Sequence, residues 1–342
     1  MNLRRFAGNW SLPLAIIVGI LSYLAVRYLY WALPAGILTW LPDIKTVLTA
    51  VSVVQPVLIF IMLFISFAKV RFSDLRPAVW TLPLLLVQGG IFCGLAAVLW
   101  RFPDTEIRIV LESAMLAFIC PTATAAAVIV RKLSGSVAHV MSYTVLVNFL
   151  SAALIPAAVP FAHPLPGFSF GTSFAVILGK VMPLLAGPLL MVVVCRRFCP
   201  GFLERIGKVP DLAFYFWLVS LPLAMAVSVR ILVHSPLGIG GILEIAGVSL
   251  AACVIQFVLG RGLGGLSGDG MTAGQAMGQK STVFMIWTGY TFFTPVTAIT
   301  GGFYSIWHNA FNSWQLYLRN RQEGRGNGGS GKSRQDSSNS GT

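Results

Sequence analysis

Apolar stretches long enough to cross a bilayer recur along almost the whole chain, and the connectors between them are short and carry most of the charge. Ten such stretches are delimited at 11–33, 46–68, 78–100, 109–130, 136–161, 172–194, 211–233, 240–260, 271–289 and 293–317. About 20 apolar residues span the hydrocarbon as a helix. A lipid-exposed backbone must satisfy its own hydrogen bonds, so each stretch is predicted to be helical. The alternating ten-residue pattern of a membrane β-barrel is absent. The pattern therefore predicts an all-α polytopic membrane protein with ten transmembrane helices in one domain, 1–318. The remainder, 319–342, "RNRQEGRGNGGSGKSRQDSSNSGT", is rich in Gly, Ser and Asn and is predicted to be a disordered tail.

Two stretches break the apolar pattern. The fourth, "RIVLESAMLAFICPTATAAAVIVRK", carries Pro121 in its middle, followed by small and hydroxyl residues. The ninth, "GMTAGQAMGQKSTVFMIWTGY", has glycines and polar residues, Gly278 among them, where leucines are expected. Each is predicted to break into two half-helices. Exposed backbone of that kind is tolerated only where it is buried in protein or lines a wet cavity. The two abnormal stretches hold matching places in halves of five spans, about 11–161 and 172–317. The pattern Y-[ST]-x-x-x-N follows each, as "YTVLVN" from Tyr143 to Asn148 and as "YSIWHN" from Tyr304 to Asn309. Five spans per half implies an inverted-topology repeat, with helices four and nine crossing and a site near the midplane.

Composition agrees with a membrane protein. Hydrophobic residues make up 56% of the chain and charged residues 10%, against about 25% charged in soluble domains. The net charge of +13 raises the question of nucleic acid. The cations lie in loops and in the tail, not in a basic domain with interleaved aromatics, so no nucleic-acid partner is expected. Their placement sets an orientation instead. One side holds Arg4, Arg5, Lys69, Arg71, Arg76, Arg131, Lys132, Arg196, Arg197, Arg205, Lys208, Arg261 and the tail cations. The other holds only Lys45, Arg101, Arg108 and Arg230. The richer side is predicted to be cytoplasmic. The opening "MNLRRFAGNWSLPLAIIVGILSYLAV" resembles a signal peptide, but its apolar run is too long and reads as an uncleaved first helix. Cys195 and Cys199, in "CRRFC", lack two further ligands for zinc. No metal and no cofactor are expected.

Lys280 lies about ten residues into the ninth stretch, with Asp269 before it and Glu323 after it as the nearest carboxylates in sequence. A charge at that depth costs roughly 2.5–3.5 kcal/mol on insertion scales. Lys180 in span six either faces a cavity and meets an anion, or pairs with a carboxylate such as Glu244 or snorkels. Glu112 and Glu244 sit near span ends and read as interfacial or paired carboxylates, or as members of a proton relay; Arg27 reads as an interface anchor, and His139 reads as a residue beside a loop. His308 lies at membrane depth and is a candidate for titration. Asn148 and Asn309 are predicted to hydrogen-bond between helices or to touch substrate.

The segments "AFICPTATAAAVIVRKLSGSVAHVMSYTVLVNFLSAALIPAAVPF" and "GQAMGQKSTVFMIWTGYTFFTPVTAITGGFYSIWHNAFNSW" resemble the fourth and fifth, and the ninth and tenth, helices of the bile acid:sodium symporter family. The resemblance covers roughly 10–318. It implies sodium-coupled uptake of organic anions, but the ion ligands are largely gone. The family's Cys-Pro-Gly-Gly reads Cys120, Pro121, Thr122, Ala123 here. Its Ser-Asn sodium ligands are Ala126 and Ala127. The serine and threonine of its fifth helix fall on Val140 and Thr144. Its Glu-x-Gly-x-Gln-Asn reads Gln275, Ala276, Met277, Gly278, Gln279, Lys280, and Gln88 matches a glutamine of its second sodium site. Sodium wants five or six oxygens, usually one of them anionic, and no carboxylate remains. Two readings of Lys280 follow: its ammonium replaces the bound cation, held by carbonyls of the broken helices, their C-terminal dipoles and Gln279 or Thr144, or it snorkels to the cytoplasmic surface.

These readings imply a secondary transporter in the plasma or inner membrane, working by alternating access. Its substrate is a small organic anion, a bile-acid-like or other partly hydrophobic carboxylate, moved without sodium. The expected binding residues are Gln88, Thr122, Thr124, Thr144, Gln275, Gln279, Lys280 and Ser281, with Lys180, His308, Asn148 and Asn309 as further candidates. The alternative is a transport-inactive sensor or scaffold of the same fold. An enzyme is not expected, since no H-E-x-x-H, G-x-S-x-G or paired aspartates occur.

The charge asymmetry predicts that tags at Met1 and at Thr342 both report cytoplasm, and that a tag in the 162–171 loop "AHPLPGFSFG" reports the outside. One terminus found outside would undo the ten-span count and the inverted repeat.

Overall fold

The computed structural model describes residues 3–32, 44–70, 73, 75–164, 166–209 and 212–336; the side chains of 3–13, 15, 16, 30, 31, 44, 45, 47–49, 320 and 322–336 lie outside that description. Among the described residues the chain is all-α, without a strand. The helices are α1 (Leu3–Ala32), α2 (Ile44–Ala68), α3 (Thr81–Arg101), α4 (Arg108–Ile119), α5 (Ala126–Lys132), α6 (Val137–Ala162), α7 (Phe170–Leu185), α8 (Gly187–Phe198), α9 (Pro200–Lys208), α10 (Leu212–Val233), α11 (Ile239–Gly265), α12 (Gly270–Gly278), α13 (Thr282–Phe292) and α14 (Ile299–Asp336), with a 3-10 turn at Pro295–Ala298 before the last.

Five of these helices contain stretches long and apolar enough to cross a membrane: Ala50–Ala68, Thr81–Arg101, Val137–Ala162, Leu212–Val233 and Ile239–Gly265. A sixth span forms if α7 and α8, bent by 47° at their junction, are taken together. The chain is thus a multi-pass membrane protein. The other four expected stretches fall on α1, on α4 with α5, on α12 with α13, and on the start of α14. The last helix continues to Asp336, past the start of the segment read from composition as a disordered tail, and 337–342 lie outside the described residues. Among the cations used for orientation, Arg71 and the side chains of Arg4, Arg5, Lys45, Arg325, Lys332 and Arg334 also lie outside them.

The helices pack as two groups. In one, α1 and α2 lie on α10, while α7, α8 and α9 lie along α2. In the other, α3, α4, α5, α6, α11, α12, α13 and α14 pack among themselves. The groups meet most extensively where α6 packs on α7, and also where α2 and α10 touch α13 and where α10 touches α14. Both interrupted helices, α4–α5 and α12–α13, belong to the second group.

Glycine makes the tightest contact of that group possible. On α11, a Cβ at Gly260 would lie 2.5 Å from the Ala273 carbonyl oxygen, and one at Gly264 would lie 2.3 Å from the Ala273 Cβ. Gly270, Gly274 and Gly278 on α12 repeat the four-residue spacing on the facing surface. Small residues at this spacing let two helix backbones approach, which replaces the hydrophobic drive that lipid does not supply. The glycines that interrupt the apolar ninth stretch therefore serve packing as well as the break.

This contact has a controlled test on one helix. Gly260→Ala forces a methyl against backbone and should destabilise the protein by about 1–3 kcal/mol, the range for overpacking. Gly262→Ala, with nothing within 4 Å of its Cβ, should be neutral or slightly stabilising. Thermal unfolding of the purified protein in detergent reads both, and equal melting temperatures for the two variants would refute the close approach.

Candidate functional site

A helix that ends inside a protein leaves its last carbonyls without intrahelical donors. Here two helices end side by side. The α4 helix stops at Ile119, and Pro121 has no N–H to offer the Ala117 carbonyl. The α12 helix stops at Gly278. Between each stop and the following half-helix the chain is partly extended, and the two breaks pair as an isolated antiparallel bridge between Thr122 and Lys280. The Ala123 N–H donates to the Gln279 carbonyl at 2.8 Å, and the Ser281 N–H donates to the Pro121 carbonyl at 2.9 Å.

Side chains close further carbonyls at both stops. At the end of α4, Gln256 Nε2 donates to Ala117 O at 3.3 Å. Lys280 Nζ donates to Phe118 O at 3.3 Å. Ser151 Oγ donates to Ile119 O at 2.6 Å. At the end of α12, Thr122 Oγ1 donates to Ala276 O at 2.6 Å, and the Tyr304 hydroxyl donates to Gly278 O at 2.8 Å. Two tyrosine–glutamine pairs brace these groups: the Tyr143 hydroxyl donates to Gln88 Oε1 at 2.8 Å, and Gln256 Nε2 also reaches the Tyr304 hydroxyl at 3.1 Å. Tyr143, Tyr304, Gln256 and Ser151 were not among the residues picked from sequence. The only signal was the repeated Y-[ST]-x-x-x-N pattern that begins at the two tyrosines.

Lys280 is fully buried. Its ammonium donates to Gln88 Oε1 at 3.0 Å and to Phe118 O in the last turn of α4. Both acceptors are neutral oxygens. The second sits at the negative end of a helix dipole, which favours a cation. Of the two readings of Lys280, snorkelling does not describe this geometry, since the side chain ends inside the protein. The partners differ from those expected, however. Thr144 Oγ1 is spent on Val140 O within its own helix. Gln279 turns the other way, because consecutive residues of an extended segment point to opposite sides.

That other side is a cavity of ≈ 50 Å³ in the seam between the two helix groups. Its walls are Ile59, Met62 and Leu63 on α2, Trp217 on α10, the two breaks with the first residues that follow them, and Ser305, His308 and Asn309 on α14. Thr124, Gln279, Lys280 and Ser281 line it, the Lys280 ammonium itself being turned to Gln88 and Phe118. The first turns of α5 and α13 reach it through Ala125 and Thr282, and neither half-helix has a side-chain N-cap. Gln279 Oε1, Ser305 Oγ and His308 Nδ1 are buried without a hydrogen-bond partner among the described residues. The cavity thus presents amide, hydroxyl and imidazole groups beside two helix N-termini, with an apolar wall opposite.

The other expected residues are dispersed. Gln275 lies away from Lys280, its amide donating to Asn312 Oδ1 at 3.0 Å and Gln315 Oε1 at 2.8 Å. Asn148 and Asn309 each donate to the carbonyl four residues back, Thr144 O and Ser305 O, so the predicted interhelical bonds of these amides are not formed. Lys180 is exposed, with Nζ 5.9 Å from the centre of the Phe292 ring, and neither lines the cavity nor pairs with Glu244. Glu112 is buried and held by Arg108 at 2.9 Å, by His163 at 3.2 Å and by the Thr294 N–H at 3.0 Å. His139 pairs with Asp269 at 2.6 Å, and Trp80 Nε1 donates to the same carboxylate at 3.1 Å.

Among the described residues no cluster of His, Cys, Asp and Glu is arranged to hold a metal ion. Compared with models of known protein families the chain matches none, and compared with curated proteins it has no significant match.

Proposed function

We propose that the chain is a secondary transporter of a small organic anion that works by alternating access without sodium, and that the Lys280 ammonium stands permanently where a related transporter would bind a cation. One observation carries the reading: Lys280 is held by Gln88 and the end of α4 on one side of the paired breaks, while the positive ends of α5 and α13 face a cavity on the other. Helix N-termini favour negative charge, and broken helices of this kind bind anions in transporters. The presence of a tyrosine–glutamine pair beside each break, Tyr143 with Gln88 and Tyr304 with Gln256, supports two inverted repeats of five spans. The resemblance to the bile acid:sodium symporters, carried by the same two helix pairs, points the same way.

In this reading the α3–α6 and α11–α14 group slides against the α1, α2 and α7–α10 group, exposing the cavity to one side and then the other. Both termini are cytoplasmic, in a plasma or inner membrane. The anion's carboxylate takes the N-terminal ends of α5 and α13, with Thr124, His308 and Asn309 around it, and its apolar part lies on Met62, Leu63 and Trp217. A cavity of ≈ 50 Å³ is far below the ~300 Å³ at which drug-sized sites begin. A small branched carboxylate suits it better than a bile acid. The same small volume favours a second reading, a sensor of this fold that binds without transport.

Uptake of radiolabelled 4-methyl-2-oxopentanoate into proteoliposomes, with taurocholate as the larger comparison, tests the proposal. Uptake of the oxo acid should be unchanged when potassium replaces sodium at equal ionic strength; a steep, saturable sodium requirement would mean that a sodium site exists elsewhere. Lys280→Met should reduce binding about tenfold or more, since it removes a positive charge lying just behind the anion's place, and a unit charge several ångströms away in a protein acts with about 1–4 kcal/mol. Lys280→Arg should also fail, because a planar fork does not fit a place shaped for an ammonium. Saturable binding without uptake selects the sensor. Neither binding nor uptake of either anion defeats both readings.

A further inference from the structure

A second cavity lies on the same seam, toward the end that charge asymmetry places outside. It measures ≈ 330 Å³ and is walled by Val51 on α2, Val227 and Ile231 on α10, and Tyr290 and Pro295 around the end of α13. That volume falls within the range of small-ligand sites. Its charged residue is Arg230, in the last turn of α10. The Arg230 Nε is buried with no hydrogen-bond partner, and no salt bridge reaches its guanidinium among the described residues. A guanidinium partly withdrawn from water without a counter-charge is costly, and its fork of donors matches a carboxylate.

Gln55 lies between the α2 residues that line the two cavities. It lies one turn beyond Val51 on α2, which lines the second cavity, and one turn before Ile59, which lines the first. Gln55 is fully buried. Its Oε1 accepts from the hydroxyl of Tyr290, a wall of the second cavity, at 3.0 Å. Its Nε2 donates to the carbonyl of Val283, a wall of the first, at 3.4 Å. One side chain thus ties α2 to α13 across the boundary between the two spaces, and it does so where the two helix groups meet.

We infer that the Arg230 cavity is a vestibule that captures the carboxylate group of the transported anion, and that the Gln55–Tyr290 hydrogen bond is the bar between this vestibule and the site beside Lys280. The inference rests on the transport reading above. A neutral side-chain hydrogen bond is a modest latch, suited to opening and closing repeatedly. Two anion sites in series let the carboxylate leave water at Arg230 before it reaches the helix N-termini.

Thiol labelling tests the vestibule without any transport. The background is the full chain purified in detergent, with the accessible Cys93, Cys195 and Cys199 replaced by alanine. In this background Val227→Cys is reacted with a methanethiosulfonate carrying either a sulfonate or a trimethylammonium group, each rate normalised to a free thiol. The sulfonate should be favoured by about tenfold, the lower end of electrostatic focusing in a cleft. Adding Arg230→Gln should abolish the preference, and adding Arg230→Lys should keep it; equal rates for the two reagents with Arg230 present overturn the vestibule. 4-Methyl-2-oxopentanoate should slow the sulfonate reagent at this position. For the bar, Ser305→Cys in the site cavity should react several-fold faster when Gln55→Ala or the milder Tyr290→Phe is added, and unchanged rates in both overturn it. If the Arg230-dependent preference persists while the oxo acid is neither bound nor taken up, the transport reading fails and the anion-attracting cavity stands. Uptake with no preference removes the vestibule alone.

Discussion

Two helices stop in the interior of this protein, and everything around them is organised by the need to satisfy the carbonyls they leave open. In an apolar environment an unpaired backbone group costs several kcal/mol. Neither break can meet that need alone, because Pro121 removes one donor and the extended residues carry others out of reach. Each break therefore completes the other. The Thr122–Lys280 bridge supplies two backbone bonds, Thr122 closes Ala276, and Lys280 closes Phe118. Tyr304, Gln256 and Ser151, from α14, α11 and α6, finish the task. The crossing thus specifies which helices must surround it.

The same accounting explains how a lysine can lie fully buried with no carboxylate beside it. A buried charge is tolerated when it is hydrogen-bonded and placed in a favourable field. Phe118 O supplies a helix C-terminus and Gln88 supplies a side-chain oxygen, itself fixed by the Tyr143 hydroxyl. A bound cation would make similar demands, but a cation can leave. A lysine cannot, and under the proposed function its charge is present in every state of the cycle. Energy for transport would then come from the substrate gradient or from another ion, not from sodium at this place.

The close contact of α11 with α12 gives the crossing a rigid base. Gly260 and Gly264 place one backbone almost against the other, and such contacts resist sliding because there is no side chain to adjust. The opposite seam, where α2 and α10 meet α13, holds both cavities and is bridged by single side chains such as Gln55. Under the proposed function, a rigid group would rock about the α6–α7 contact that joins it to the other, while the seam with the cavities, bridged by single side chains, opens and closes.

Sequence alone determined the all-α membrane character, because hydrophobic length and the demand for internal hydrogen bonds leave few other solutions. It also located both breaks, since a proline amid small residues and a run of glycines and amides cannot continue an apolar helix. Lys280 stood out for its missing carboxylate, and Gln88 was found through the family resemblance. Tertiary structure decided the partners. The hydroxyl of Thr144 and the amides of Asn148 and Asn309 looked like site groups but fold back onto their own helices, because a carbonyl four residues earlier is always within reach. Gln279 and Lys280 are neighbours in sequence, yet the extended backbone between the half-helices turns them to opposite sides, one to the cavity and one to α4. Gln256, Tyr304 and Ser151 look like ordinary helix residues, and only the crossing of two distant segments brings open carbonyls to them. Such long-range pairing leaves no trace in local periodicity, which is why the breaks were legible in the sequence and the groups that close them were not.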